Sequence, residues 1–331
     1  MADSTQVEIA YIEETTFGTA PGGAYQQVRH TGGSLGASTS TTRSSEVRSD
    51  AQRGQTVRTN FEPSATINME LSGKTFDDWI EAVLRGTWET IDDVNQNNDA
   101  IDNGGIAAAD YDMRLQNGTE DRSFTLELNH QDVASGASYR VIKGAKVGQF
   151  SLDLSTNSLV TGSFNFTAKS YDVQDTAVST SVDSAPDTSI FNVVDNIEKV
   201  LIDGVEISGA VSNFTISANA NARRLNALGV LGSFDIGMGS MDLTGSITFY
   251  LDTDTFQRLK DYVDFKKMAL GIEVLAEDGN RYAIHFPKIA VTNEPGNVPG
   301  PDEDVQLQFD YSAEPGGSSG KTIEVLRKQS A

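Results

Sequence analysis

The side chains with which this sequence could do acid–base or metal chemistry are its histidines and carboxylates, and their spacing argues against both. His30, His130 and His285 are the three histidines, each in its own segment, and none has a Ser, Asp or Glu at the spacing that builds a triad or a zinc site. They read as surface or sheet-edge residues. The run DDVNQNNDAIDNGG, from Asp92, alternates Asp93, Asn95 and Asn97 in the manner of a calcium loop. Counted from Asp93, its sixth position is Asn98 where the sharp turn needs glycine, and its twelfth is Gly104 where a bidentate glutamate belongs. No glycine-rich phosphate loop or nucleophile elbow follows a strand and opens a helix. Carboxylates are numerous enough, 47 Asp plus Glu in 331 residues, for paired acids to be expected by composition alone. The absence of cysteine excludes disulfides, thiolate metal sites and thiol nucleophiles. The expectation is a protein that is not an enzyme, with no catalytic, metal or cofactor-binding residues.

Charge narrows the class of partner. With 25 Lys plus Arg the net charge is −22, and such a surface repels phosphate backbones and anionic lipid. No apolar run approaches the roughly 20 residues that span a bilayer, and the opening MADSTQVEIA lacks the basic and apolar regions of a secretory signal. Against this acidic background Arg43, Arg48, Arg53 and Arg58 recur every fifth residue through TRSSEVRSDAQRGQTVR, opposed only by Glu46 and Asp50. Arg223 and Arg224, in ANANARRLNALG, hold the corresponding place in the second half. Such a basic segment is either an ordinary solvated loop or a contact for acidic surface on another copy of the chain.

The elements that must position these residues are strands. Apolar and polar residues alternate at Ile67, Met69 and Leu71, at Phe124, Leu126 and Leu128, at Phe150, Leu152 and Leu154, and at Phe164 and Phe166. The same period recurs at Ile247, Phe249 and Leu251 and at Leu307, Phe309 and Tyr311. Two segments read as helices. Phe76, Trp79, Ile80 and Val83 share one face of the first, with Thr75 as cap and Gly86 as stop; Phe256, Leu259 and Val263 share one face of the second, with Thr255 as cap.

These strand–helix units lie 180 residues apart without a gap, which points to duplication. Downstream, RSFTLEL at 122–128 answers MALGIEV at 268–274, ASYRVIKGAKV at 137–147 answers GNRYAIHFPKI at 279–289, and GSFNFTA at 162–168 answers VQLQFDY at 305–311. The predicted organisation is a first domain over 1–171, with a long loop at 36–63 and a polar insertion at 91–121, a linker at 172–189, a second domain over 190–314 and a flexible tail at 315–331. Each domain is mainly β, a sandwich or barrel with one flanking helix.

The first half resembles the major tail tube proteins of long-tailed bacteriophages, through YIEETTFGTAP (Tyr11 to Pro21), SSEVRSDAQRG (Ser44 to Gly54) and FDDWIEAVLRGTW (Phe76 to Trp88). The likeness covers about the first 170 residues and reaches the rest only through the internal repeat. It implies a structural virion protein, made in the host bacterial cytoplasm, whose sheets join into rings stacked as a hollow tube for DNA delivery. Its partners would be further copies of itself and other tail proteins such as the tape measure and the tail terminator, with DNA passing through unbound. The long inter-strand loop of the family commonly reaches the next ring, the place held here by Arg43 to Arg58. Two tube domains per chain depart from the family's common single-domain hexamer and imply a trimeric ring with pseudo-sixfold symmetry. Of the wet strand faces, Thr66, Asn68 and Glu70, Ser151 and Asp153, Ser163, Asn165 and Thr167, with Ser246, Thr248, Gln306, Gln308 and Asp310, several residues would line the bore. The rival reading is a carbohydrate-binding or adhesin-like β-sandwich.

Overall fold

Long runs of alternating residues build most of the chain into sheet, in a computed structural model that describes residues 6–91, 105–106, 110–133, 139–207, 211–293, 300–317 and 319–328. The first-half strands are β1 (Val7–Glu13), β2 (Ala24–Gln27), β3 (Gly32–Arg43), β4 (Thr56–Glu70), β5 (Glu89–Thr90), β6 (Met113–Gln116), β7 (Phe124–His130), β8 (Tyr139–Ser155) and β9 (Thr161–Thr167). Then follow β10 (Ser170–Gln174), β11 (Ser181–Asp183), β12 (Ile197–Ile202), β13 (Val205–Glu206), β14 (Val211–Asn219), β15 (Arg223–Asn226), β16 (Ser233–Gly237) and β17 (Asp242–Tyr250). The last are β18 (Met268–Leu275), β19 (Arg281–Val291), β20 (Gln306–Ala313) and β21 (Glu324–Lys328). Helix α1 spans Asp77–Leu84 and α2 Thr253–Val263.

One strand belongs to two layers. The Tyr139–Ala145 half of β8 pairs with β7 and β10, in a layer that continues through β1 to β2, with β11 parallel to β2. Its Lys146–Ser155 half pairs with β9 on one side and β14 on the other. The chain bends between the halves at Gly144, whose φ of 63° suits glycine and where a Cβ would meet the Lys169 side chain at 2.8 Å and the Phe17 ring at 3.1 Å. Helix α1 fills the space between the layers. The Trp79 ring packs on Tyr11 of β1 at 5.1 Å and on Phe164 and Phe166 of β9 at 5.3 and 5.0 Å, all buried.

Strand pairing in the second half follows that of the first. Neighbours run β3–β4–β9–β8 and then β14–β17–β20–β19, while β18 flanks β19 as β7 flanks β8. The two runs are joined edge to edge where Gln149–Ser155 of β8 pairs antiparallel with Asn219–Asn213 of β14, so the eight strands form one continuous sheet.

The helices correspond less well. Ile67 and Ile247, and Met69 and Phe249, are all buried, but Phe76 is 1% exposed against 46% for Phe256, and Val83 0% against 72% for Val263. Helix α2 starts four residues earlier than the 180-residue offset requires, capped by Asp252, whose carboxylate accepts the Thr255 N–H at 2.8 Å while the Thr255 hydroxyl receives the Asp252 N–H at 2.7 Å. This earlier start turns Leu259 and Tyr262 onto the core and Phe256 outward. At α1 the expected cap is replaced as well: the Thr75 hydroxyl pairs with that of Ser72, and Arg85 takes the left-handed position, φ 55°, that ends the helix.

Three further expectations are revised. Residues within 315–331 are not all loose, because β21 pairs with both β19 and β6 and buries Val325 and Leu326. The linker carries the end of β10 and all of β11, and the insertion supplies β6 and the buried Tyr111, whose hydroxyl donates to Glu273 at 2.8 Å. His285 lies fully buried in mid-strand, 3.6 Å from Glu324, and not at a surface or sheet edge. A polar lock ties the halves together: Asp77 of α1 accepts from the Tyr282 hydroxyl at 2.6 Å and pairs with Arg327, whose guanidinium lies 4.6 Å over the Trp88 ring.

Candidate functional site

The polar face of the continuous sheet is the most extended arrangement of chemically similar residues in the molecule. Period-2 geometry sends Ile67, Phe164, Leu152, Ile216 and Phe309 to the core, so their sequence neighbours must face the other way. Register then aligns those neighbours into rows across strands. One row runs Asn68, Ser163, Ser151, Ser217, Thr244 and Ser312. The next runs Glu70, Thr161, Asp153, Thr215, Ser246 and Asp310, and a third opens with Thr66, Asn165, Gln149 and Asn219. None of these residues is Lys or Arg.

Hydrogen bonds along the rows fix the side chains. Thr66 donates to Asn165 Oδ1 at 2.7 Å, and the hydroxyls of Ser151 and Ser163, and of Thr215 and Ser246, hydrogen-bond to each other at 2.8 Å. Asn213 reaches across the β8–β14 junction to Ser155 at 2.7 Å, and Gln149 to Ser217 at 3.4 Å. A shallow groove lies here, lined by Asn68, Glu70, Ser151, Asp153, Ser163 and Ser217. The residues of these rows are uncharged hydroxyls and amides with carboxylates at Glu70, Asp153 and Asp310, so the rows offer water and hydrogen bonds but no cation for a phosphate.

All eight first-half residues expected on the wet face therefore stand on one side of one sheet, joined by Ser246, Thr248, Gln306, Gln308 and Asp310. The contribution of β14, through Asn213, Thr215, Ser217 and Asn219, was missed, although Phe214, Ile216 and Ala218 alternate clearly in VSNFTISAN. The signal was there in period 2. What period 2 does not contain is that β14 joins β8.

The arginines divide into two groups. Arg43 ends β3, Arg58 lies in β4, and the segment between them is exposed throughout except at Gly54. Arg48 holds Asp50 at 2.8 Å, a bond that raises the arginine pKa and lowers that of the carboxyl. The Arg58 guanidinium lies 5.3 Å from the Phe61 ring centre. Arg223 is exposed, whereas Arg224 is half buried, donating to the carbonyls of Ala168 (2.7 Å) and Pro63. Burial lowers its pKa. It is an anchor within the chain. The calcium-like run at 93–104 lies outside the described residues.

The quoted motifs now have physical roles. Glu14, in YIEETTFGTAP, is a buried carboxylate that accepts from Gly18 N (2.7 Å), Gly144 N (2.8 Å), Ser123 Oγ (2.8 Å) and Thr125 Oγ1 (2.8 Å), tying the first turn to β7 and to the bend in β8. Trp79 and Trp88 of FDDWIEAVLRGTW form the core and the lid of Asp77, the indole of Trp88 donating to the Asp77 carbonyl at 3.3 Å. Both are structural. Compared with known families, residues 4–313 match the family described as phage tail tube protein. No curated protein matches the chain.

Proposed function

The chain belongs to the phage tail tube protein family, structural components of the virion tail, and from that membership we propose that it assembles with copies of itself into rings that stack as a DNA-conducting tube. The observation that carries this reading is the junction of β8 with β14. It joins two runs of four strands into one sheet with one continuous polar face, which ends at one side in β3, paired among the described residues with β4 alone. We read the two runs as duplicated tube domains, so that three chains supply six units and the ring is a trimer with pseudo-sixfold symmetry. The polar face then lines the channel, with Thr66, Asn68, Glu70, Ser151, Asp153, Ser163 and Asn165 in its wall.

A wall of hydroxyls, amides and carboxylates releases no counterions from DNA and holds it weakly, which suits passage. The exposed arm from Arg43 to Arg58 extends past the end of the sheet and meets acidic surface of the next ring. Other tail proteins, a tape measure within and a terminator at the end, complete the assembly, which is made in the host cytoplasm. Electron microscopy and native mass spectrometry of the concentrated protein test the reading. Rings of three chains and tubes built from them are expected; a persistent monomer, or rings of six chains, overturns the assembly or its stoichiometry respectively.

A further inference from the structure

Ten consecutive residues, Leu225 to Phe234, carry no charge in a chain of net charge −22. They form most of the β15–β16 hairpin, whose tip presents Leu228 at 103% exposure, with Val230, Leu231 and Phe234 at 48%, 47% and 47%. The base is fixed. Arg224 holds the carbonyls of Pro63 and Ala168, Lys146 Nζ donates to the Ile236 carbonyl at 2.8 Å, and Ile236 itself is fully buried. An anchored hairpin that holds several large apolar side chains in water marks a contact surface.

A second such surface lies at the far end of β17, in the large sheet beside which the hairpin is anchored. β17 begins at Asp242, five residues beyond the hairpin, and runs nine residues, about 30 Å, to Tyr250. There Tyr250, Leu251 and Phe256 are 40%, 38% and 46% exposed. Asp302, Glu303 and Asp304 are exposed beside them, in the stretch held by the 2.9 Å bond from Leu251 N to the Val305 carbonyl. Four antiparallel pairings separate β4 from β17, so these two strands run in the same direction, and the arginine arm at the start of β4 shares the hairpin's end. One end is therefore basic and apolar, the other acidic and apolar. Complementary ends on one molecule make a head-to-tail contact that does not close on itself and so adds copy after copy, and the charges set its direction.

We propose that the hairpin tip docks on Tyr250, Leu251 and Phe256 of a second copy of this chain in the adjoining ring, with the arginine arm directed at Asp302 to Asp304. This names the stacking contact and rests on the tail tube reading. Two variants of the full chain test it. Leu228→Asp with Leu231→Asp alters only exposed positions, and is expected to keep the melting temperature and the rings while losing the stacks. Because the chain has no cysteine, Leu228→Cys and Tyr250→Cys chains mixed under oxidation report the contact itself. Crosslinked dimers are expected from the mixture and not from either variant alone. Tubes of normal length from the double Asp variant, or Leu228→Cys chains that crosslink only to each other, overturn the contact and leave the tube reading standing. Wild-type chain that forms neither rings nor tubes overturns both.

Discussion

Phe76 and Phe256 share a residue type and a place in the sequence pattern but differ in what surrounds them, and their truncation separates the two. Phe76 is buried against Trp79 and stacks on Phe164 at 5.9 Å, so Phe76→Ala leaves a cavity and costs about 3–5 kcal/mol. Phe256→Ala removes a half-exposed ring, and the free chain loses no more than about 0.5 kcal/mol. Urea unfolding of both variants at low protein concentration checks the contrast. Glu324 gives a second residue-level prediction. Burial pushes its carboxyl up, but His285, 3.6 Å away, the Gln116 amide that donates to it and the nearby charge of Arg114 outweigh burial and hold the pKa below the ordinary glutamate value. The unfolded chain therefore takes up this proton first as pH falls. The stabilisation is complete above the ordinary value, about 4.3, and disappears as pH drops through the lowered one. Melting temperatures between pH 6 and 3 should fall less steeply for Glu324→Gln than for wild type, and equal slopes would refute the assignment.

At the scale of elements, the arginine arm is the paired distal halves of two long strands, β3 and β4, exposed at every residue from Ser38 to Thr59 but Gly54. Exposed charges contribute little to folding, so Arg48→Glu with Arg53→Glu should leave the monomer's melting temperature unchanged. If the arm meets acidic surface, the same variant should stack poorly and lose the salt response of stacking. Wild-type tube lengths from it would reduce the arm to a solvated loop. Which elements could be read beforehand follows from where their determinants lie. β4, β8, β9, β17 and β20 have one wet face, and their alternation is local, so they stand out in the sequence. β7 shows the same alternation, at Phe124, Leu126 and Leu128, although it is buried on both faces, and its Glu127 is accommodated because Val178 N and the Ser179 hydroxyl satisfy the carboxylate, at 2.5 and 2.7 Å. β21 is five residues with three charges, and it exists because β6 and β19, each remote in sequence, flank it. His285 looked like a surface residue for the same reason, since β21 is what covers it. Helix α2 was placed correctly but rotated, because Asp252 and not Thr255 fixes its first turn. The polar face was legible residue by residue, while the junction that makes it continuous depends on register between strands more than fifty residues apart.

Across the whole molecule, net charge and the polar face would act on DNA in the proposed tube from different distances. A chain at −22 surrounds any bore with negative potential, and the rows that contain Glu70, Asp153 and Asp310 bring carboxylates to the face itself. A phosphate backbone binds a protein mainly by releasing counterions to cationic side chains, so affinity here is kept low by leaving cations out. Introducing them at wall positions should change transport without changing folding. Asn68 is exposed and lies beside Ser163 in the groove, and Asn165 stands one row away, hydrogen-bonded to Thr66. Asn68→Arg with Asn165→Arg places two guanidinium groups per chain on the proposed wall. In a ring of three chains the same positions recur at every level, and the DNA meets a ladder of them along the tube. Tubes should still form, because neither side chain lies on the edge strand β3. Ejection should slow or stall, most strongly at low salt, where each added cation releases the most counterions. Virions carrying the variant, compared with wild type in a salt series of DNA release, measure this directly. Release at the wild-type rate in every salt would place these residues away from the DNA and reassign the polar face to the outer surface.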